Sequence, residues 1–519
     1  MKPQISLTKL YSLFIICLLS FTSCTQENEI FDEAIQESIE NEIAEEENPE
    51  NEDNPVTDNT VSSELKAFPS AEGAGANVRI GNNYSVLHVT SLSSDNEGVY
   101  DAQNKTGEGT LEWCINQKFP RIIVFDVSGT ISYPNGYTYY NDSGRDYCYI
   151  AGQTAPRGGI TIEHNWYELN IDHLIMRYLR FVHVGINEGI NSVSFKMTNK
   201  NSIADHISSR YSFNSVAAKV DYENVTMQRS IFGECKTGMI AGTVGSPAAR
   251  VEQAGSTSVL NNLWVHISHR FPNVTGNAEL DVINNVVYNY KFRHNVYEND
   301  SRTNMINNYF KAGPTSFFQD GASHYIADHS TSTQYSTPKI FFEGNICTDS
   351  YRPFGKEDDA WPIVFRLWTD KNVVPDEATY RSNINFNYQG VAPRIRDADI
   401  AYEEVIADVG ANKYLNADGT YGYYMDSVDE SYIKDVINGT CENCTGEYNE
   451  YVDKGNTSKL IYPVLPKNTR PADFDTDRDG MPNAWEIANG FDPNFNDSTL
   501  DADGDGYTNL EEYLNLVDM

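Results

Sequence analysis

The sequence has few basic residues and, after its first 24 positions, no long apolar run. Its 519 residues include 38 Lys and Arg against 74 Asp and Glu, which gives a formal net charge of −36. No basic stripe and no nucleic-acid recognition motif is present, which argues against a nucleic-acid partner. No apolar segment after residue 24 is long enough to cross a bilayer, which excludes a membrane-spanning helix in that part of the sequence.

Cysteine is also scarce, with eight residues in the chain and six once Cys17 and Cys24 are set aside. Cys441 and Cys444 form a C-x-x-C, but no second pair with zinc-ligand spacing follows, so a short-loop disulfide is favoured over a zinc site in an exported chain. The remaining four are predicted to be buried apolar residues: Cys114, Cys148, Cys235 and Cys347.

The first 24 residues have the pattern of a targeting segment. Lys2 and Lys9 precede an apolar stretch over residues 10–19, and small residues lead into Cys24. This pattern resembles a bacterial lipoprotein signal, in which Cys24 becomes the lipidated first residue. We therefore expect an outer-membrane lipoprotein that faces the cell exterior, or a secreted protein if Cys24 is not lipidated.

Acidic residues are concentrated at the two ends of the chain. Residues 25–66 hold 15 acids and one lysine, and residues 473–519 hold 13 acids and one arginine. The first segment buries too little apolar surface to fold, so we expect a disordered tether. Its position after Cys24 resembles the surface-export signal of bacteroidete lipoproteins. Since most of the negative charge lies at the ends, it does not exclude an anionic ligand in between.

Asparagine pairs recur every 23 residues between apolar neighbours. The segments read VLNNLW at 259–264, VINNVV at 282–287 and MINNYF at 305–310, with weaker copies at 203–208, 227–232 and 341–346. A period of this length suits one turn of a solenoid, and the β-branched and aromatic flanks suit short strands with tight corners. Coils in register would place each Asn about 4.8 Å above its counterpart, in a ladder of amide hydrogen bonds. The pattern predicts an all-β chain folded as a parallel β-helix.

The β-helix is predicted over residues 67–466, with strands at 122–125, 160–162 and 174–176 and one helical stretch near 401–409. Residues 467–519 form a different module with two acidic loops, each followed by a short helix, at 484–488 and 510–514. Both loops match the calcium-loop pattern, with side-chain ligands at positions one, three, five and twelve and a backbone carbonyl at seven. The predicted Ca²⁺ ligands are Asp475, Asp477, Asp479, Met481 and Glu486, then Asp501, Asp503, Asp505, Tyr507 and Glu512. The module resembles dockerin-like or thrombospondin-type calcium repeats and is expected to serve stability or attachment.

A parallel β-helix offers a long groove suited to an extended polymer. Hydrolysis in such a groove needs paired carboxylates, and the repeated strands carry no clustered Asp pairs. Elimination from a uronate needs a base that removes the proton α to the carboxylate, and a cation that stabilises the developing enolate-like charge. The sequence contains candidate residues for elimination.

Several segments resemble bacteroidete pectate lyases of polysaccharide lyase family 1. They are AFPSAEG at 67–73, SGTI at 128–131, AGQTAP at 151–156, RYLRF at 177–181 and NNYFKAGP at 307–314. The resemblance implies a right-handed, single-stranded parallel β-helix. It also implies a surface-exposed polysaccharide lyase that cleaves a uronate-containing anionic polysaccharide by β-elimination, with pectate or pectin as the first expected substrate.

The resemblance assigns site residues by position. Arg270 falls on the first arginine of the family's Arg-x-Pro-Arg motif, the catalytic base, and Asn273 replaces the second arginine as a substrate contact. Lys236, one coil earlier, falls on the lysine that pairs with a uronate carboxylate. His266 is a rival base because imidazole suits neutral pH better than guanidinium. Alternation along a strand would place His266 on the same face as Arg270.

The family's groove calcium lacks its acidic ligands here. The matching positions, 191–193 and 213–217, carry no acid, although Asn214 can offer one oxygen, and His206 is a further expected substrate contact. Either protein cations replace the ion, with an algal uronan such as ulvan or alginate as the alternative substrate, or the chain is a non-catalytic glycan-binding lipoprotein. We expect a monomer that binds an anionic polysaccharide and is anchored to the outer membrane.

Overall fold

The computed structural model describes residues 65–94, 107–133, 137–139, 145–164, 167–184, 193–197, 200–212, 214–218, 223–241, 254–291, 293–316, 323–327, 337–442, 444 and 460–518. The predicted signal, the lipidation site at Cys24 and nearly all of the acidic tether lie outside these ranges, so those predictions are not addressed by the structure.

Three parallel sheets form the main body, and from the second strand onward consecutive strands pass from sheet A to sheet B to sheet C. Sheet A contains β1 (Ser85–Val89), β2 (Arg121–Phe125), β5 (Cys148–Ala151), β8 (Leu174–Arg177), β11 (Lys200–Asp205), β14 (Glu223–Gln228), β17 (Ala254–Leu260), β20 (Asn277–Ile283), β23 (Arg302–Ile306) and β26 (Lys339–Glu343). Sheet B contains β3 (Gly129–Tyr133), β6 (Ile160–His164), β9 (Leu179–His183), β12 (Ser208–Arg210), β15 (Ile231–Gly233), β18 (Leu263–Val265), β21 (Val286–Tyr288), β24 (Tyr309–Lys311) and β27 (Ile346–Cys347). Sheet C contains β4 (Tyr137–Tyr139), β7 (Tyr167–Leu169), β10 (Val193–Met197), β13 (Asn214–Ala218), β16 (Thr237–Ala241), β19 (Asn273–Val274), β22 (Val296–Tyr297), β25 (His324–Ile326) and β28 (Phe365–Leu367).

The first strand, β1, pairs with β2. From β2 to β25 each strand pairs with the strand three places later in the chain, so one coil stacks on the next. β17 pairs with β20 in parallel with Val259 opposite Val282, which is the register that the 23-residue spacing requires. Apolar side chains from all three sheets fill the interior along the axis. The prediction of a parallel β-helix is confirmed.

The two asparagines of each pair have different structural roles. Asn261, Asn284 and Asn307 adopt positive φ values of 54°, 57° and 51° at the corner between sheets A and B, a conformation that Asn tolerates better than most residues. The second asparagine of each pair forms the ladder. Asn262 Nδ2 donates to Asn285 Oδ1 at 3.0 Å, and the same bond joins Asn285 to Asn308 and Asn308 to Asn345 at 2.9 Å.

Helices occur outside the coils. They are α1 (Leu111–Ile115), α2 (Trp361–Val364), α3 (Glu377–Tyr380), α4 (Ala398–Ala407), α5 (Ser427–Asn438), α6 (Asn483–Asn489) and α7 (Asn509–Asn515), with short 3₁₀ turns at Gly152–Thr154 and Leu516–Asp518 and an antiparallel hairpin of β29 (Lys413–Leu415) and β30 (Tyr421–Tyr423). The helices expected near 401–409, 484–488 and 510–514 are present. In the described part of the chain, no helix combines the length and the hydropathy that crossing a membrane requires.

Two of the three sheets have their outer faces packed. α4 and α5 cover sheet B through Val405, Val428 and Tyr432. Residues 67–84 and the C-terminal module cover the first coils of sheet A, where Trp485 and Tyr513 join the apolar cluster. Two of the predicted catalytic residues, Lys236 and Arg270, lie just before strands of the third sheet.

Polar contacts attach the C-terminal module to the start of the β-helix. Arg79 pairs with Glu511 at 2.8 Å, and the hydroxyl of Tyr84 donates to the carbonyl of Ser498 at 2.7 Å. Arg177, buried in the third coil, pairs with Asp518 near the C-terminus. The module is therefore part of the same packed body as the first coils.

The cysteines follow the sequence expectation. Cys441 and Cys444 are bonded to each other, and the other four cysteines of the described residues are buried thiols. Burial raises the pKa of the Cys347 thiol to about 12, so that thiol stays protonated at neutral pH.

Candidate active site

Lys236 and Arg270 lie at the same edge of sheet C on neighbouring coils. Lys236 directly precedes β16, and its carbonyl accepts a hydrogen bond from the Ser268 hydroxyl at 2.7 Å. In the next coil, the Arg270 carbonyl accepts the backbone N–H of Met239 at 2.8 Å. The two cations assigned by resemblance are therefore brought together, as the spacing predicts.

A glycine allows the coil that carries Arg270 to approach this closely. A Cβ at Gly238 would lie 2.2 Å from the backbone oxygen of Arg270, which is far inside van der Waals contact. Arg270 itself adopts a φ of 74° and does not belong to the stacked corner columns in which the other left-handed residues of the coils lie. A non-glycine residue in this region stores of the order of 1–3 kcal/mol of strain, which is typical of functional positions.

A third cation joins the pair around a buried histidine. Burial lowers the pKa of His269 well below 6.5, and the positive charges of Arg293, Arg270 and Lys236 lower it further. His269 is therefore neutral, with its Nδ1 at 2.6 Å from the Ser268 hydroxyl. We call Lys236, Arg270 and Arg293 the cation cluster. Such a cluster can bind a carboxylate and stabilise negative charge that develops beside it.

Arg293 was missed by the sequence reasoning, although a signal for it existed. It lies 23 residues after Arg270, which is the interval that separates the asparagine pairs. In the structure the backbone N–H of Arg270 donates to the carbonyl of His294 at 2.8 Å, so the next coil places Arg293 beside it. Applying the asparagine period to Arg270 would have identified Arg293.

The two predicted asparagine contacts also map to this edge. Asn273 begins β19, and its Oδ1 accepts the backbone N–H of Val296 at 3.0 Å, so its amide oxygen is used in stacking the coils. Asn214 begins β13 and is in register with Thr237. The side chain of Asn214 lies outside the described residues, so its role as a ligand stays a prediction.

The two predicted histidines lie elsewhere. His206 occupies the corner between sheets A and B, buried between Asp205 at 2.9 Å and Asp408 at 3.3 Å and stacked on Tyr178. His266 also turns a corner, with a φ of 55°, because the chain leaves β18 there and strand alternation no longer applies.

The side chain of His266 bonds to Asp435 of α5 at 3.1 Å and to the Asn289 amide at 2.8 Å. It is therefore held beneath a helix that packs on sheet B, and not on the face predicted from alternation. We therefore leave His266 out of the proposed catalytic set and His206 out of the proposed substrate contacts.

The first acidic loop of the C-terminal module contains a cluster of carboxylates. Asp479, Glu486 and Asp497 offer oxygens within 4.8 Å of one another, and so do Asp475, Asp477 and Asp479. Among the described residues, neither carboxylate oxygen of the fully buried Glu486 has a hydrogen-bond partner. Burial and the neighbouring acids raise the pKa of Glu486 to about 8 and that of Asp479 to about 7. A buried cluster of this kind fits a hard cation with oxygen ligands.

Asp497 was not predicted, because it lies outside the twelve-residue loop pattern. The second loop brings Asp501, Asp503 and Asp505 together in an exposed position. Burial and these acids raise the pKa of Glu512 to about 7. The backbone N–H groups of Met481 and Tyr507 donate to Asp479 and Asp505, which holds both loops in a closed form.

Comparison with curated proteins finds relatives that share one name. No protein-family model matches the chain. The chain is 30% identical over 460 residues to "Probable pectate lyase C" of Aspergillus fumigatus (strain CBS 144.89), covering 87% of this chain and 94% of that protein. It is 29% identical over 465 residues to the protein of the same name from Aspergillus flavus, covering 88% and 94%. A solved pectate lyase from Bacillus sp. N165 in complex with trigalacturonate aligns with a TM-score of 0.40 at 16% identity, over 65% of this chain and 98% of that one.

Proposed function

The chain belongs to the pectate lyase family, and from that premise we propose that this polysaccharide lyase cleaves pectate at the edge of sheet C. The observation that carries the proposal is the stacking of the three coils that bear Lys236, Arg270 and Arg293. The Arg270 carbonyl accepts the N–H of Met239, and the Arg270 N–H donates to the carbonyl of His294. All three cations are close enough to His269 to lower the pKa of that buried imidazole. Three cations on three consecutive coils suit a polymer whose every sugar carries a carboxylate. A polyanion gains from each cation that it meets along the groove.

The reaction follows from the chemistry of a uronate. Lys236 and Arg293 bind the carboxylate and withdraw charge from it, which makes the proton on the adjacent carbon more acidic. Arg270 takes that proton, the electron pair forms a carbon–carbon double bond, and the bond to the glycosidic oxygen breaks. The leaving oxygen gains a proton from water, so one chain ends in an unsaturated uronate and the other in a free hydroxyl.

Calcium in the groove does not fit the residues of this chain. The positions that the resemblance assigns to its acidic ligands, 191–193 and 213–217, carry no carboxylate. Ca²⁺ sites in proteins are built mainly from carboxylate and carbonyl oxygens. We therefore derive no step through a groove ion and assign its charge-neutralising role to Lys236 and Arg293.

The substrate test is a panel of polymers given to the purified protein. Polygalacturonate, ulvan and alginate are each incubated with the protein, and ultraviolet absorbance of unsaturated ends is recorded with and without a calcium chelator. We expect absorbance from polygalacturonate. If only ulvan or alginate gives absorbance, the substrate is an algal uronan and not pectate. If the protein binds a polymer but forms no unsaturated product, it is a glycan-binding protein and not a lyase.

Calcium is assigned to the C-terminal module, where it acts as a structural ion. Asp475, Asp477, Asp479 and Glu486, with Asp497 and the carbonyl of Met481, would hold one ion. Asp501, Asp503, Asp505 and Glu512, with the carbonyl of Tyr507, would hold the second. The unpartnered buried carboxylate of Glu486 supports the first site. Because the module packs on the first coils, its calcium would stabilise the start of the β-helix.

The location of the enzyme is proposed from the sequence. We place it on the outer face of the outer membrane, as a monomer held by a lipid on Cys24 and the acidic tether over 25–66. Metabolic labelling with a fatty acid tests the lipid, with Cys24→Ala as the variant that should lose the label. Digestion of intact cells with a protease tests the orientation, since only an outward-facing chain is removed.

A further inference from the structure

A buried asparagine holds the corner of the chain that carries Arg270. Asn295 directly precedes β22, and its side chain is fully buried. Its Oδ1 accepts the backbone N–H of Phe271 at 3.0 Å, and its Nδ2 donates to the backbone carbonyl of Phe271 at 3.1 Å. One amide group therefore binds both backbone polar groups of the residue that follows Arg270.

The backbone of this corner is fixed by both neighbouring coils. In the coil before it, the N–H of Met239 donates to the Arg270 carbonyl at 2.8 Å, and in the coil after it the His294 carbonyl accepts the N–H of Arg270 at 2.8 Å. The two bonds from Asn295 extend the second set of contacts to Phe271. Each backbone polar group of residues 270 and 271 thus has a partner in an adjacent coil.

These contacts matter because Arg270 adopts a strained conformation. Its φ of 74° lies in the left-handed region, where a residue with a side chain stays only if its surroundings hold it there. The backbone dihedrals at Arg270 set the direction of its Cα–Cβ bond and so the course of the side chain. If the corner relaxed, the guanidinium would leave its present position near His269.

A buried polar network fixes the orientation of the Asn295 amide. Its Nδ2 also lies 3.3 Å from the Tyr297 hydroxyl and 3.6 Å from the Met305 sulfur. The Tyr297 hydroxyl is 3.2 Å from Nδ1 of His324, whose Nε2 is 3.2 Å from Nδ1 of His294. All of these residues are buried. Since hydrogen bonds in such a network constrain one another, the amide keeps its orientation toward the corner.

We propose that Asn295 is a positioning residue for the elimination, which holds the corner over residues 270 and 271 so that Arg270 faces the bond to be cleaved. The role needs an acceptor for one N–H and a donor for one carbonyl on a short side chain, and an amide supplies both. Asn295 does not touch the polymer, because it is buried. The proposal rests on the proposed function, since it takes Arg270 as the base.

The first test is a split between kcat and KM. Asn295→Ala should lower kcat on polygalacturonate about ten- to hundredfold, because a displacement of about 1 Å at the reacting groups can cost a hundredfold. KM should change little, because Lys236 and Arg293 still bind the carboxylates.

The matched control is Asn285→Ala. Asn285 is also buried, and its amide likewise accepts a backbone N–H, from Asn262, and donates to a backbone carbonyl, of Val259. It lies between sheets A and B, so its loss should lower the thermal midpoint but leave kcat of the folded protein unchanged. Equal kcat for Asn295→Ala and Asn285→Ala, or a rise in KM alone, would overturn the proposal.

Asn295→Asp keeps the size of the side chain and adds a readout in pH. An ionised carboxylate accepts from the Phe271 N–H but has no donor for the carbonyl, whereas a protonated carboxyl offers both a donor and an acceptor. The kcat of this variant relative to that of the wild type should therefore rise as the pH falls. A ratio that stays level or falls would overturn the proposal.

The groups around residue 295 do not interfere with this readout. Burial lowers the pKa of His324 to about 3 and that of His294 well below 6.5, and burial raises the pKa of Tyr297. These neighbours therefore stay neutral between about pH 6 and pH 9. The cation cluster lies on the groove side of the corner and is the same in both proteins, so its own pH dependence is divided out of the ratio.

The pKa of His269 tests the positioning without any turnover. The charge of Arg270 contributes to lowering that pKa, so Asn295→Ala should raise it, as Arg270→Ala should, when it is measured by histidine-selective NMR. Asn285→Ala should leave it unchanged. An unchanged pKa in Asn295→Ala would overturn the proposal. A wild type that forms no unsaturated product, while His269 responds as described, would overturn only the proposed function.

Discussion

Arg270 and Arg293 are related by one coil of the β-helix, and both act on the same buried imidazole. They are 23 residues apart, and the charges of both lower the pKa of His269, which burial has already lowered. The spacing that produces the asparagine ladder therefore also places both arginines near His269. The asparagines and the arginines share this spacing because residues 23 positions apart lie above one another in successive coils.

Replacing Arg293 by Ala should reduce kcat/KM on polygalacturonate about a hundredfold, since removing one group that stabilises transition-state charge costs about 2.7–4 kcal/mol. The same variant should raise the pKa of His269 toward its ordinary value, because one of three neighbouring positive charges is gone. Steady-state kinetics and histidine-selective NMR measure the two effects. A loss of activity with an unchanged His269 pKa would contradict the geometry proposed for the cluster.

Removing one asparagine from the ladder should lower the free energy of unfolding by several kcal/mol. Asn285→Ala removes an acceptor for the backbone and side-chain N–H groups of Asn262 and leaves buried donors without partners. Each buried unsatisfied group costs about 1–3 kcal/mol, so the thermal midpoint should fall clearly. Asn387→Ala, on an exposed loop, is the control. Equal midpoints for the two variants would mean that the ladder contributes little.

Glu486→Gln should change stability in opposite directions with and without calcium. In a chelator, the amide removes a buried carboxylate that has no partner, so the variant should unfold at a higher temperature than the wild type. With calcium at about 100 times its Kd, the wild type should gain about 2.7 kcal/mol that the variant lacks. Differential scanning calorimetry under both conditions measures the crossover.

The control for this crossover is Asp473→Asn, an exposed carboxylate of the same module, which should shift neither curve. If the wild type melts at the same temperature with calcium and with a chelator, the assignment of an ion to the first loop is contradicted. Asp497→Asn should weaken the calcium response in the same sense as Glu486→Gln, because its carboxylate belongs to the same cluster.

His206 should stabilise the fold in acid more than in alkali. Burial lowers its pKa, but Asp205 and Asp408 outweigh burial and raise it above 6.5. The ion pairs of protonated His206 therefore stabilise the fold fully when the pH is below the pKa of histidine in the unfolded chain, about 6.5. This stabilisation is lost as the pH rises through the higher pKa of His206 in the folded protein. His206→Gln should therefore cost about 3 kcal/mol near pH 5.5, and less near pH 9. A pH-independent difference in urea unfolding would contradict this.

The fold was predictable because its repeat is local. Asn262, Asn285 and Asn308 are equally spaced, and a period of 23 residues with apolar flanks leaves few architectures other than stacked coils. The grouping of acidic side chains in the two loops of the C-terminal module was predictable for the same reason. Their spacing within twelve residues is dictated by the geometry of one ion.

The positions of His206, His266 and Asp497 were not predictable from local pattern. Both histidines turn corners with positive φ, so strand alternation does not give their direction. Their partners Asp408 and Asp435 come from segments about 170 to 200 residues later in the chain. Asp497 reaches the first loop from outside the loop pattern. Such contacts depend on tertiary packing, and a single sequence contains no signal for them.

The most direct test of the central claim is the rate at which Arg270 variants release unsaturated ends from polygalacturonate. We expect the wild type to produce them, Arg270→Ala to lose at least about a thousandfold in kcat, and Arg270→Lys to recover little. Arg302→Ala should retain full activity, because that arginine is exposed on sheet A in a surface pair with Glu279. Full activity in Arg270→Ala, or no unsaturated product from the wild type, would contradict the account.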